Sequence, residues 1–339
     1  MKLLQSSFQL LLLTTTTLLP PVVFGLSTPA PPSPPQQQRK KVRLVQGANS
    51  LIEALIVEEE CFTTTNGARE FEDACAPNIV YEDCYEPQPI VGSADVGKHL
   101  LGKIEQRQGK GKFRLDKISD GKIACGFAWT WTCGEEEGLR GTTFVELNED
   151  GKISYVREIP EPIFKPGNLT LDLLKAVTAG AEEQILPPYE TKTPTDANDI
   201  VKYLFNDVQG RSADLVMDFF DERIQYRDFN FEDMLVGKKE VKGFIEDFTF
   251  PGLTFRTQRF DDGILSTCFT WEVVVLDAPD TIKGISFYEI DPTTRKVTYV
   301  RDVPESGIKP PILGKLARLI RPGLGTFQGV PIGSRPNGM

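Results

Sequence analysis

The octapeptide YVREIPEP at residues 155–162 returns as YVRDVPES at residues 299–306, 144 positions later in a chain of 339 residues. A chain that writes one segment twice at that distance has copied a module of about that length, and each copy must bury its own core. The length is enough for two such domains. Whatever the first copy folds into, the second must also adopt, so each half constrains the reading of the other.

The copies align well beyond the octapeptide. Tyr81, Asp83, Gly92 and Val96 match Tyr226, Asp228, Gly237 and Val241 at a spacing of 145. Farther on, FAWTW at Phe127 matches FTWEV at Phe269, GTTFVEL at Gly141 matches GISFYEI at Gly284, and Lys165-Pro166 matches Lys309-Pro310. The offset moves only between 142 and 145, so loops differ by a few residues and the elements do not.

Each copy has the same order of signals. A helix-period segment comes first (LIEALIVEEECF from Leu51, DIVKYLFNDVQG from Asp199), then a short helix (AREFEDAC, SADLVMDFF). After a strand and a glycine turn comes a third helix (GKHLLGKI, KGFIEDF). Four strand-like runs close the first copy: FRLDKIS, IACGFAWTWTC, LRGTTFVELN and KISYVREI, with counterparts in the second. Helices followed by an antiparallel meander predict an α+β layer arrangement, with turns such as Glu149-Asp150-Gly151 as hairpins. The expected boundaries are a first domain over 46–182, a Pro-rich polar linker over 183–196, a second domain over 197–321 and a loose tail over 322–339.

Charge excludes one class of function. Residues 1–52 hold no acid and five cations (Lys2, Arg39, Lys40, Lys41, Arg43), so the formal −10 of the whole chain leaves about −15 on the remainder. A body that acidic repels polyanions, and no nucleic-acid partner is expected. Cys61, Cys75, Cys84, Cys125 and Cys133 crowd the first copy while Cys268 stands alone in the second. A duplicated disulfide framework would appear twice, so free thiols are expected; without CxxC spacing, no metal site and no cofactor is predicted. GSADVG is not a nucleophile elbow and QGKGKF is not a P-loop.

Taken in order, the repeated pattern resembles the nuclear transport factor 2-like superfamily in its SnoaL-like branch, over about residues 50–180 and 197–321. The pattern is a strand ending in Tyr-x-Asp, a glycine nine residues on, a helix, a strand with an acid, a DGKI-type hairpin and an Arg. The resemblance implies two tandem cone-shaped domains, each a bent antiparallel sheet wrapped around helices and enclosing a cavity. It also implies a choice among isomerases, dehydratases, cyclases, epoxide hydrolases and non-catalytic binders.

Strand alternation places Ile79, Tyr81 and Asp83 on one face, and Ile224, Tyr226 and Asp228 on the equivalent face. A carboxylate on an apolar stripe must be paired, hydrogen-bonded or open to a cavity. Asp83 and Asp228 match the position at which, by the resemblance, ketosteroid isomerases carry a proton-abstracting aspartate; Tyr81 and Tyr226 are then hydrogen-bond donors. Read by the same alternation, Arg157 and Arg301 share faces with Tyr155 and Tyr299 and enter the cavities, where each would lower the aspartate's pKa. Glu146 and Glu289 would complete buried ionic clusters, an Asp, Arg and second acid similar to limonene epoxide hydrolase-type sites. The alternatives are catalysis and a structural ion pair. His99, the one histidine, is a core or pocket-wall residue with an acid/base role as the alternative; Trp129, Trp131 and Trp271 are core residues, with a flat apolar ligand as the further option.

The ends read as addresses and covers. An apolar stretch between Phe8 and Leu19, then a Pro-, Gln- and hydroxyl-rich basic run, makes residues 1–45 a presequence. It resembles the bipartite plastid presequence of algae with secondary plastids; secretion is the alternative. Near the C-terminus Ile312, Leu313, Leu316, Leu319 and Ile320 line one side of a helical period with Lys315, Arg318 and Arg321 opposite, which suits packing on its own domain or contact with an anionic membrane. The combined expectation is a plastid protein binding small apolar or amphipathic molecules. The alternatives are an isomerase- or dehydratase-type enzyme and a scaffold whose two domains pair within one chain.

Overall fold

The computed structural model describes residues 47–134, 136–162, 165–183, 185–186, 188–276 and 281–306; the presequence and the C-terminal amphipathic segment lie outside them. The first half runs α1 (Ala48–Val57), α2 (Thr65–Ala74), β1 (Cys75–Asp83), β2 (Ile90–Val91), α3 (Ser93–Arg107), β3 (Lys112–Ile118), β4 (Ala124–Cys133), β5 (Glu136–Leu147), β6 (Ile153–Pro160) and α4 (Asn168–Val177). The second runs α5 (Ala197–Tyr203) with a π turn after it (Leu204–Val208), α6 (Ala213–Met217), β7 (Phe220–Asp228), β8 (Leu235–Val236), α7 (Lys238–Asp247), β9 (Leu253–Phe260), β10 (Ser266–Val275), β11 (Ile282–Ile290) and β12 (Val297–Pro304). The halves are α+β units of one topology: six-stranded sheets ordered β2-β1-β6-β5-β4-β3 and β8-β7-β12-β11-β10-β9.

Local chemistry sets the elements. Thr64 caps α2 by accepting from the Gly67 amide at 3.0 Å. Gly92 and Gly237, at φ 97° and 92°, turn the chain from β2 into α3 and from β8 into α7, a conformation that L side chains resist. The meander is antiparallel as expected, but each sheet is mixed: β1 lies parallel to β6, and β7 parallel to β12. The long connection between those strands permits that pairing, which adjacency along the sequence does not suggest.

Each sheet holds its helices on one face, around Leu55, Phe71, Tyr81 and Trp129 in the first half and Ile200, Tyr226, Trp271 and Val300 in the second. The other faces meet each other across a third core of Ala124, Phe144, Tyr155 and Ile159 against Phe229, Cys268, Ile285, Phe287 and Val303. With both faces covered, β4 is buried from Ala124 to Trp131, and ACGFAWTW is nearly all apolar instead of alternating, with Thr130 donating to Asp116 at 2.6 Å.

The contacts between the sheets are reciprocal, as a two-fold relation between copies requires. Lys117 binds Glu289 at 2.6 Å, and their counterparts Arg259 and Glu146 bind at 2.8 Å. Asp120 accepts from the Ile264 and Ser266 amides at 2.9 and 3.1 Å; Asp262 accepts from Lys122 and Ile123 at 2.7 and 2.9 Å. Gly126 and its counterpart Cys268 meet face to face, so close that a Cβ on Gly126 would stand 2.0 Å from the Cys268 sulfur.

Candidate functional site

Residues of β1 and α3 assemble the first acidic cluster. Asp83, whose side chain has no exposed surface, takes the His99 ring at 3.0 Å and the Lys103 ammonium at 2.9 Å on one oxygen, and the Tyr85 amide at 2.9 Å on the other. His99 and Lys103 reach it together because they stand four apart on α3 and share a face. Lys103 also binds Glu158 at 2.8 Å, and the Tyr81 hydroxyl donates to Glu158 at 2.5 Å. Burial would raise Asp83, but Lys103 and His99 outweigh it and hold the carboxyl below its ordinary range. Burial would lower Lys103 as well; Asp83 and Glu158 reverse that and raise it.

Beside this cluster, Phe62, Leu100, Phe113, Trp129 and the charged ends of Lys103, Arg107 and Glu158 leave about 10 Å³, the room of a single water. Trp129 donates to Thr143 at 3.0 Å and stacks on Phe113, while Trp131 lies under the Arg107 guanidinium at 4.0 Å. The first cone is filled. Outside it, an open groove of about 450 Å³ runs past Glu86, Gln88, Ile90 and Asp95 to the edge of His99. Asp83, Glu86 and His99 bring three potential metal-ligand atoms within 4.8 Å of one another, but the Lys103 charge on Asp83 opposes a cation there.

The second half repeats the acids without counterparts of His99 and Lys103. Asp228 and Asp302 are register partners on β7 and β12, as Asp83 and Glu158 are on β1 and β6. The Tyr226 hydroxyl and the Ser286 hydroxyl, the latter at 2.5 Å, donate to the two oxygens of Asp302, and Trp271 donates to Ser286 at 2.7 Å. At the places of His99 and Lys103, 145 positions on, stand Phe244 and Phe248. Phe244 packs against Tyr226 at 5.3 Å between ring centres, as His99 packs against Tyr81 at 5.8 Å. Phe231 and Phe248 extend the aromatic wall from Phe244 at 5.5 and 4.9 Å. Burial, with the Asp302 charge beside it, raises half-buried Asp228 to about 7 against the amide of Asn230 and the charge of Lys165. Burial raises Asp302 to about 6, against the hydrogen bonds from Ser286 and Tyr226.

Four residues expected in the cavities face the opposite way. Arg157 binds Glu82 at 2.6 Å, a carboxylate that also accepts from Tyr155; Arg301 donates to the Thr142 hydroxyl at 2.9 Å and the Gly141 carbonyl at 3.0 Å. Glu146 and Glu289 are the inter-sheet ion pairs already described. For the arginines the cause is a bulge in each last strand: opposite β5 the register slips between Glu146 and Leu147, so Ile153 and Val156 face the helices while Tyr155 and Arg157 face the other sheet; Glu146 and Glu289 precede the slip and share the inter-sheet face of Phe144 and Phe287 by plain alternation. The same slip falls between Glu289 and Ile290. One extra residue exchanges the faces of everything after it. Glu158 and Asp302, the next residues in the repeated octapeptide, take the inward places, and strict alternation from Ile153 hides them. Lys103 and Ser286 also escaped the sequence reading, although the pairing of Lys103 with Phe248 is visible in the repeat.

No known protein family and no curated protein matches the chain by sequence. Solved structures do resemble it. A steroid delta-isomerase from Pseudomonas aeruginosa is 17% identical, covering 32% of this chain and 79% of its own, with a TM-score of 0.26. An LEH-like epoxide hydrolase of M. tuberculosis is 15% identical over 38% of this chain and 98% of its own, at 0.28. An NTF2-like protein of unknown function from Cytophaga hutchinsonii is 10% identical over 34% and 94%, at 0.28.

Proposed function

We propose that the second half is a proton-transfer site for a small apolar or amphipathic molecule, of the isomerase or dehydratase kind, and that the first half is its structural counterpart. One observation carries this: the His99 ring and the Lys103 ammonium that engage Asp83 and Glu158 are replaced, at the matching positions of the second half, by Phe244 and Phe248. Asp228, raised to about 7, is divided between its charged and neutral forms near neutral pH, the condition under which one group both takes and returns a proton. As carboxylate it removes a proton from a ligand carbon; as acid it returns that proton to another carbon, or to a hydroxyl that then leaves as water. Asp302, oriented by Tyr226, Ser286 and Trp271, is the neighbouring acid that keeps Asp228 from ionising early.

Native mass spectrometry of the protein from its source tests this by identifying a retained apolar molecule. That molecule, incubated in D₂O, should gain carbon-bound deuterium with the natural chain and not with Asp228→Asn. Equal deuterium uptake with both proteins defeats the assignment. The proposal also places the protein in a plastid, with secretion as the alternative; residues 1–45 fused to a fluorescent reporter should carry it there.

A further inference from the structure

Where the two sheets meet, one position changes the sign of its charge between the copies. In the first half Glu82 and Arg157 are register partners on β1 and β6. The Glu82 carboxylate accepts from Arg157 at 2.6 Å, from the Tyr155 hydroxyl at 2.7 Å and from Lys283 of the second half at 3.0 Å. The counterparts of Glu82, Arg157 and Tyr155 are Arg227, Arg301 and Tyr299, and Arg140 of the first half matches Lys283. Arg227 and Arg301 are again register partners, on β7 and β12. A carboxylate gripped by three donors has become a second guanidinium beside the first.

The surroundings do not offset that exchange. Arg301 is buried and donates to neutral oxygens, the Thr142 hydroxyl and the Gly141 carbonyl. Arg227 is half-buried, and among the described residues no carboxylate is bound to either arginine. Close by, Arg140 and Lys165 are both held by Glu161. The four cations converge on the buried Phe229 ring, whose centre lies 4.3 Å from Arg301, 4.9 Å from Lys165, 5.4 Å from Arg227 and 5.7 Å from Arg140. An aromatic face attracts cations but cancels no charge, and cations drawn out of bulk water repel one another. The sequence beyond residue 306 holds no Asp or Glu, so the C-terminal tail brings no acidic side chain to them.

We infer that Arg227 and Arg301, beside Phe229 on the inter-sheet face, bind a phosphate group, either the free ion or one carried by a small molecule. The first half shows the model for such an anion: the Glu82 carboxylate, bound by the counterparts of Arg301, Tyr299 and Arg140. The charge sets the class of ligand. Exchanging Glu82 for Arg227 moves this surface by two charges, and a phosphate, close to a dianion at neutral pH, restores the balance where a monocarboxylate would not. Its oxygens also suit the paired donors of a guanidinium. Alternation along β7 turns Arg227 away from the face that carries Tyr226 and Asp228, so the site stands independently of any chemistry at Asp228.

Calorimetric titration of the full chain with inorganic phosphate, at fixed ionic strength, tests this. One site per chain is expected, and Arg227→Glu should weaken it by at least about tenfold. That variant writes the first half's residue into the second, in a register where Glu82 and Arg157 already pair, so it should keep its fold; near-ultraviolet circular dichroism checks that. Arg227→Gln, which removes the charge without reversing it, should weaken binding in the same direction. Lys98→Glu makes the same change of charge on the exposed side of α3 and should leave the affinity as it was. No binding by the natural chain, equal weakening by Arg227→Glu and Lys98→Glu, or acetate bound as tightly as phosphate would each overturn the inference. Phenyl phosphate separates the two sources: tighter binding than the free ion assigns the site to phosphorylated molecules, weaker binding to the ion itself, and both uphold a phosphate site.

Discussion

Lys103 on α3 binds both Asp83 and Glu158, while its repeat counterpart 145 residues on, Phe248, is the residue that ends α7 and packs on Phe244, whose ring lies against Tyr226. Where Lys103 bridges Asp83 and Glu158, two charges are neutralised at 2.9 and 2.8 Å. In the second half burial raises both Asp228 and Asp302, so that pair sheds charge by holding protons. The two copies keep topology, bulge and acids while exchanging a cation for a ring.

Removing the acid should therefore have opposite effects in the two halves. Asp83→Asn leaves half-buried Lys103 facing Glu158 alone and should cost about 2–4 kcal/mol, somewhat under the usual loss when one partner of a fully buried pair is removed. Asp228→Asn removes a group that resists ionisation and should be neutral or stabilising by up to about 3 kcal/mol at pH 8. Denaturant titration of the two variants checks both, and equal destabilisation would refute the division.

The pH dependence has a definite sign. Asp228 and Asp302 are raised to about 7 and about 6 in the folded chain, so between the ordinary carboxyl range and pH 7 the folded state binds more protons than the unfolded. Stability contributed by these groups is full in acid, falls as pH climbs through that window and levels off above it. Asp261, raised to about 7 by burial between the sheets, adds to the same slope. Asp83, held low, works the other way and loses its contribution only in stronger acid. Unfolding free energies at pH 5 and pH 8 should favour pH 5 for the natural chain, and Asp228→Asn should reduce the difference by roughly 2 kcal/mol.

Grafting the first half's histidine and lysine onto the second provides a direct check. Phe244→His with Phe248→Lys should bring an ammonium to Asp228 and Asp302 and pull Asp228 down from about 7 into or below the ordinary range. Carbon-detected NMR of the labelled aspartate carboxyls would follow that shift. A midpoint still near neutrality would show that position 248 does not face the acids as 103 does.

Duplication made the fold legible and the site only half so. Matching offsets such as 145 between Tyr81 and Tyr226 located helices, strands and both aspartates, because a repeat preserves element order even where side chains change. The strands before the bulge kept strict alternation, so Ile79, Tyr81 and Asp83 face inward as expected. After the bulge near the start of β6 and its counterpart in β12, alternation assigned Arg157 and Arg301 to the wrong side and left Glu158 and Asp302 unnoticed. A bulge is a tertiary accommodation with no fixed residue signature, and only pairing partners reveal it. The parallel β1–β6 pair is similarly silent in sequence, since it joins segments some 75 residues apart.

Gly126 and Cys268 offer the sharpest test of the two-fold relation itself. They are counterparts at a spacing of 142 and they touch, so the relation brings each position onto the other and leaves room for one side chain between them. Gly126→Ala places a methyl where the Cys268 sulfur already is, at 2.0 Å, in the centre of the inter-sheet core, and should cost about 1–3 kcal/mol as an overpacked site. Because the two backbones are equivalent there, exchanging the residues, Gly126→Cys with Cys268→Gly, restores one sulfur to the same gap from the other side. The double variant should recover most of the stability lost by Gly126→Cys alone, which thermal unfolding of the single and double variants measures as a strong positive coupling. Additive losses would mean that the two positions are not interchangeable and that the copies meet by a contact the duplication did not dictate.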